Sequence, residues 1–136
     1  MNDENRNSVF KEIIALIKSI SMESKNSNLL IEQVKKVILD NIRNELKVEE
    51  IAEIVGISTY YLVHLFKKTT GTTITSYRNS MRLLTAKKML INTEDSITKI
   101  SNECGFDNSS YFSKLFKRSE KISPKDYRKF NKKGGN

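Results

Sequence analysis

Apolar residues in the first part of the chain fall at three- and four-residue steps. Val9, Phe10, Ile13, Ile14, Leu16, Ile17 and Ile20 make one stripe, which predicts an amphipathic helix over 7–21. The following stretch, Ser21–Asn28 (SMESKNSN), is polar and rich in Ser and Asn, so it reads as a linker. A second helix is expected over 29–44, with Ile31, Val34, Ile38 and Ile42 on one face. Beyond it, apolar residues come in short helical segments separated by Gly, Ser, Thr and Asn, and strand-like alternation is absent. The pattern predicts an all-α protein.

Those short segments repeat. Ile51-Ala52-Glu53-Ile54-Val55-Gly56-Ile57 matches Ile100-Ser101-Asn102-Glu103-Cys104-Gly105-Phe106 at an offset of 49. One residue is inserted just past the glycine, and the offset becomes 50. Tyr61 then matches Tyr111, Leu65 matches Leu115, Phe66 matches Phe116, Lys67 matches Lys117, Tyr77 matches Tyr127 and Arg78 matches Arg128. Helix-start residues repeat as well. Ser58 pairs with Asn108 and Thr73 with Ser123, and each can accept an orphan backbone N–H as an N-cap. Pro124 suits the first helical position, and Asp126 completes an S-x-x-D cap. Gly56 and Gly105 sit where a helix ends in a left-handed residue. Each copy is therefore a short helix, a tight turn and a capped second helix, which is the helix-turn-helix layout.

The faces of the two second helices differ in chemistry. In 58–69, Leu62, Leu65 and Phe66 define an inward side, so Tyr60, Val63, His64 and Lys67 point outward, with Thr59 at the N-terminal edge. In 108–119 the inward set is Phe112, Leu115 and Phe116. Ser110, Ser113, Lys114 and Lys117 then point outward, with Ser109 at the edge. Short polar, aromatic and basic residues near a helix N-terminus are what a recognition helix presents to base edges in a major groove. Lys114 and His64 can donate to guanine, Ser can donate or accept, and Val63 can touch a thymine methyl. Lys67 and Lys117, one turn further on, and Ser58 and Asn108, at the helix starts, are assigned to phosphate. Between the copies, Ile74, Tyr77, Met81, Leu84 and Met89 have helical spacing. A connector helix there spans roughly 26 Å, which brings the two second helices near one duplex turn apart, ~34 Å. Arg78, Arg82, Lys87 and Lys88 on it are expected at the intervening phosphates or as plain surface charge.

Charge strengthens this picture. The 136 residues hold 24 Lys and Arg against 16 Asp and Glu, a formal charge of +8. Residues 1–30 carry four of each sign, so the whole excess lies in 31–136. No acidic residue occurs from Ile54 to Thr93, and nine Lys and Arg lie between Lys114 and Lys133. Such a footprint suits a polyanion. No apolar run approaches the ~18 residues of a membrane span, and the polar start, Met1–Asn7, argues against an export leader. One Cys and one His remove most thiol, zinc and His-centred chemistry. No nucleotide-loop, nucleophile-elbow or HExxH motif is present, so no enzyme, cofactor or metal is expected. Cys104 replaces Val55 of the first copy and reads as a buried core thiol. The rival reading is a helical protein–protein interaction module without DNA readout, whose binding would lack a steep salt dependence.

The runs IAEIVGISTYYLVHLFKKTTG, SYRNSMRLLTAKKML, SITKISNECGFDNSSYFSKLFKR and SPKDYRKF resemble the C-terminal DNA-binding domain of the AraC/XylS family of bacterial transcription regulators. The resemblance covers about 31–131. It implies a homeodomain-like, all-α fold of two helix-turn-helix subdomains joined by a long linker helix. The first helix-turn-helix would occupy 47–71, the linker helix 73–91, the second helix-turn-helix 96–121 and a C-terminal helix 123–131, with a disordered tail at 132–136. It also maps the family's base-reading face onto Thr59, Tyr60, Val63, His64 and Lys67 in the first copy and onto Ser109, Ser110, Ser113, Lys114 and Lys117 in the second, with the two lysines one turn beyond the base readers. Double-stranded promoter DNA and RNA polymerase are the implied partners, transcription activation in a bacterial cytoplasm is the implied role, and the protein is expected at the nucleoid. Three positions depart from the family pattern. Lys47 stands where Ser or Thr would cap, Ser101 where Ala is usual, and Lys121 where a glycine ends the second recognition helix. The first 30 residues, an extra amphipathic helix and polar linker, lie outside the resemblance. They are too few for a sensor domain, so the chain is expected to be part of a longer regulator or a small stand-alone member. The apolar stripe of 7–21 wants a partner, either a homodimer mate or a missing sensor domain, unless it packs on the first subdomain.

Overall fold

A computed structural model describes residues 3–132, with side chains from Asn5 onward. Among these residues there are seven helices and no strand: α1 (Asp3–Asp40), α2 (Val48–Val55), α3 (Thr59–Thr70), α4 (Ile74–Asn92), α5 (Ile97–Glu103), α6 (Ser109–Glu120) and α7 (Pro124–Asn131). The expected duplication is present as two packed units.

The first hydrophobic core gathers Ile31, Val34 and Ile38 of α1, Ile51 and Ala52 of α2, Leu62 and Phe66 of α3, and Ile74 of α4. The second gathers Leu83, Ala86 and Leu90 of α4, Ile100 and Cys104 of α5, Phe106 of the turn, and Phe112 and Phe116 of α6. Burying each Val, Leu, Ile or Phe among them stabilises by ~1.5–3 kcal/mol. Phe66 meets Tyr77 edge-on with ring centroids 5.6 Å apart, and Phe116 meets Tyr127 the same way at 5.4 Å. Leu65 and Leu115, expected inside, are half-buried at the margins of their cores.

Local rules explain the boundaries. Ser58, Thr73, Ser96, Asn108 and Ser123 each accept the backbone N–H three residues on, at 3.0–3.1 Å. Lys47 precedes α2 and has no acceptor on its side chain. Only the return half of a capping box forms there, with Glu50 Oε2 accepting from the Lys47 N–H at 3.0 Å. Gly56 and Gly71 end their helices in the left-handed region, at φ 78° and 79°. Lys121 does the same at φ 72° without glycine's freedom, at a cost of ~1 kcal/mol. Its N–H still closes on Lys117 O at 2.8 Å, and its Nζ donates to Arg118 O at 3.2 Å.

Three expectations need correction. The linker over Ser21–Asn28 does not form, because α1 runs unbroken from Asp3 to Asp40. The stretch holds no Gly or Pro, and Ser and Asn weaken a helix by only up to ~0.7 kcal/mol each. Breaking a helix already propagating on both sides would forfeit more. The helix stops at Asp40 rather than 44, where Asn41 Nδ2 donates to Val37 O at 2.8 Å and residues 41–43 turn. Its residues 5–26 are exposed throughout, so the apolar stripe does not fold back on the first unit. The tail expected at 132–136 begins with a placed residue: Lys132 follows α7 and pairs with Glu94. Residues 133–136 lie outside the described part.

Ser101 is fully buried, and its hydroxyl finds no partner. Ala52 occupies the same place in the first unit. An unsatisfied buried hydroxyl costs ~1–3 kcal/mol, so Ser101→Ala should raise unfolding stability by about 1 kcal/mol or more, measured by chemical denaturation. Cys104 is also fully buried, 3.8 Å from Met89 Sδ, and burial followed by Glu103 pushes its thiol from the ordinary 9.0 up to about 11. The unfolded thiol releases its proton first, so this group lowers stability as pH climbs from 9.0 toward about 11. A thiol reagent at pH 8 should label the folded chain only as fast as it opens, and label one thiol per chain at once in denaturant.

Candidate nucleic-acid interface

The outward face of α3 is built as its spacing requires. Tyr60 is 73% exposed and Val63 44%, His64 and Lys67 are exposed, and Thr59 is half-buried at the start of the helix. On α6, Ser110, Lys114 and Lys117 are exposed, and Ser109 and Ser113 are half-buried. Each face is held from behind by the fully buried pair one side over, Leu62 with Phe66 and Phe112 with Phe116. Both helices carry Lys and Arg only in their last turns, Lys67 and Lys68 on α3, Lys117 and Arg118 on α6, apart from Lys114 in mid-helix. These cations also suit the negative ends of the helices.

Tyr60 and His64 act as one unit. Their rings stack with centroids 3.9 Å apart and planes 29° from parallel. His64 Nδ1 lies 2.8 Å from Tyr60 O. A carbonyl only accepts, so this contact requires the hydrogen on Nδ1, which leaves Nε2 of a neutral His64 as an acceptor. This changes the expected donation to guanine. The neutral ring presents an acceptor, matching cytosine N4–H or adenine N6–H, and a guanine contact requires the imidazolium form.

Ser58 and Asn108 are engaged as caps, accepting from Tyr61 N at 3.1 Å and Tyr111 N at 3.0 Å. Each keeps a donor, the Ser hydroxyl hydrogen or the Asn amide, that a phosphate oxygen can take. The connector arginines are another matter. Arg82, expected at phosphate, is 5% exposed. Its Nε donates to Ile42 O at 2.8 Å and its Nη2 to Asn44 O at 3.1 Å. Burial, then the neighbouring Arg78, pulls its pKa below the ordinary value, while Glu45 and Asp107 push it back up. It is an internal residue because a guanidinium fork satisfies several carbonyls at once. Arg78 is half-buried, with Nη2 donating to Leu46 O at 2.6 Å. Its repeat partner Arg128 does the same work, reaching Asp95 O at 2.7 Å, Leu90 O at 3.0 Å and Thr93 O at 3.3 Å. Lys87 pairs with Glu120 at 2.9 Å, and Lys88 is exposed.

Spacing alone missed one feature. Val63, His64 and Lys67 line a recess of about 290 Å³ together with Val48 of α2 and Thr73, Ile74 and Thr75 at the start of α4. The signal was available: the connection between α3 and α4 is only Gly71–Thr73, so the first turn of α4 must lie beside the last turn of α3. Among the described residues no group of His, Cys, Asp and Glu is arranged to hold a metal ion.

Asn108→Ala should lower stability by about 1 kcal/mol, and Asn108→Ser, which keeps the cap, should leave it nearly unchanged. Thermal unfolding of the two variants checks this.

Residues 51–129 match the helix-turn-helix domain family. The chain is 32% identical over 125 residues to the HTH-type transcriptional activator RhaS of Klebsiella pneumoniae (strain 342), covering 90% of this chain and 45% of that protein. The chain thus spans about half the length of the curated relatives it matches. A transcriptional regulator with an AraC-type DNA-binding domain from Chromobacterium violaceum superposes with TM-score 0.75 at 30% identity, over 82% of this chain and 99% of that one. The C-terminal domain of the two-component response regulator yesN from Fusobacterium nucleatum gives TM-score 0.67 at 30% identity, over 71% and 95%.

Proposed function

The chain belongs to the AraC/XylS family of helix-turn-helix DNA-binding domains, and from that premise we propose that it regulates transcription by reading one specific duplex through two successive major-groove contacts. The family is one of transcription regulators, not enzymes. The observation that carries the reading is the duplicated outward face: two helices, held from behind by equivalent buried aromatic or aliphatic pairs, each expose short polar, aromatic or basic side chains near their N-termini. In the proposal Thr59, Tyr60, Val63 and His64 read one segment, and Ser109, Ser110, Ser113 and Lys114 read the next. Lys67, Lys117, Ser58 and Asn108 bind phosphate. Residues 31–131 form the DNA-binding part.

The role proposed is activation, with RNA polymerase as the contact beside the promoter, in the cytoplasm at the nucleoid. RhaS is named as an activator, which supports that direction. The exposed stripe of α1, from Val9 to Ile20, is where a second copy or a sensor domain of a longer regulator would attach. Among the described residues no helix is long and apolar enough to cross a membrane.

Selection of bound duplexes from a random pool tests the reading directly. An enriched sequence with two half-sites supports it, and no enrichment with salt-insensitive binding overturns it. On the enriched duplex, Lys114→Ala should cost about 1–3 kcal/mol and relax preference at one position. Lys67→Ala should weaken all duplexes alike and reduce the salt slope by about 0.9.

A further inference from the structure

We propose that Arg82 is a positioning residue that holds the two recognition helices in one relative placement and thereby sets the half-site spacing the protein accepts. This rests on the two-contact reading above and deepens it. The joint between the units is assembled around its side chain. Arg82 leaves α4 between the two cores and ties down Ile42 O at 2.8 Å and Asn44 O at 3.1 Å, the turn that ends α1 in the first unit. Its other side faces the second unit, where the guanidinium carbon lies 5.7 Å from the Phe106 ring centroid. Gly105, at φ 96°, comes so close that a Cβ there would sit 2.4 Å from Ile42 O and 2.8 Å from Arg82 Nε. The first unit's turn, the connector's arginine and the second unit's turn thus meet with no space for a methyl group. At the rim, Arg43 Nη2 and Glu103 Oε2 close the same joint at 2.8 Å.

A fork of donors satisfying two carbonyls of one unit, with its guanidinium carbon over an aromatic ring of the other, favours one orientation. The second unit's turn cannot rotate about α4 without opening that contact. The groove separation addressed by α3 and α6 is then a property of the joint as well as of the length of α4. One base pair of altered spacing shifts a half-site by about 3.4 Å along the axis and turns it about a tenth of a revolution, which a rigid pair of readers does not follow.

Two arms test this on the full chain. In the absence of DNA, spin labels on Thr69→Cys and Ser119→Cys, equivalent exposed positions in the last turns of α3 and α6, report the distance between the readers, with Cys104 buried and silent. Arg82→Lys, which keeps the charge and loses the fork, should roughly double the width of the distance distribution. Arg43→Gln, a surface change that leaves both cores intact, should widen it less and serves if Arg82→Lys does not fold. An unchanged width in both variants overturns the proposal. On DNA, the parent should lose about tenfold in affinity for each base pair of altered spacing, and Arg82→Lys less than about threefold, with single half-site affinity unchanged. Equal loss on single half-sites and at every spacing means a structural role only and also overturns it. A widened distribution without any selected duplex would leave the joint standing and sink the two-contact reading instead.

Discussion

Neither hydrophobic core closes without α4. Its first turn delivers Ile74 and Tyr77 to one core, and its second half delivers Leu83, Ala86 and Leu90 to the other. A helix buried at both ends is no tether; it is a shared wall, and melting it would open both units. The duplication is offset around this wall. What the last turns of α1 do for the first unit, the last turns of α4 do for the second. What the start of α4 does for the first, α7 does for the second, down to Arg78 on Leu46 O and Arg128 on Asp95 O. Repetition here runs through hydrogen bonds to loop carbonyls as well as through apolar positions.

The net charge divides into two kinds. Arg78, Arg82 and Arg128 turn inward to loop carbonyls, where a planar fork with several fixed donors serves better than a single ammonium. Lys67, Lys68, Lys114 and Lys117 stay exposed beside the reading faces, where flexible, well-hydrated cations track a phosphate backbone. The positive surface available to a polyanion is therefore mostly lysine, and a count of basic residues overstates it.

Much of the fold was legible because local chemistry and periodicity agree. Ser58, Thr73, Asn108 and Ser123 announce helix starts by what their side chains accept, and Gly56 and Gly105 announce ends by a backbone angle other residues resist. The outward faces of α3 and α6 follow once Leu62, Phe66, Phe112 and Phe116 are placed inside. Three things were not legible. Ser21–Asn28 looks like a linker because Ser and Asn favour loops only weakly, and no local signal records that helix propagates in from both flanks. Arg82 looks like a surface cation because periodicity sees one helix at a time. Its burial depends on Ile42, 40 residues away, and on Gly105, neither of which shares an element with it. The tautomer of His64 is likewise set by a backbone oxygen four residues back, which residue type alone does not reveal.

The unbroken α1 has a mechanical meaning. Residues 5–26 project exposed, and the same rod ends inside the first core at Ile31, Val34 and Ile38. Over roughly 33 Å, at 1.5 Å and 100° per residue, it behaves as a stiff shaft with a fixed phase. No break in the helix separates the stripe from the first unit. Adding one residue to the shaft would swing whatever grips it by about 100°, whereas adding seven would restore its bearing to within about 20°.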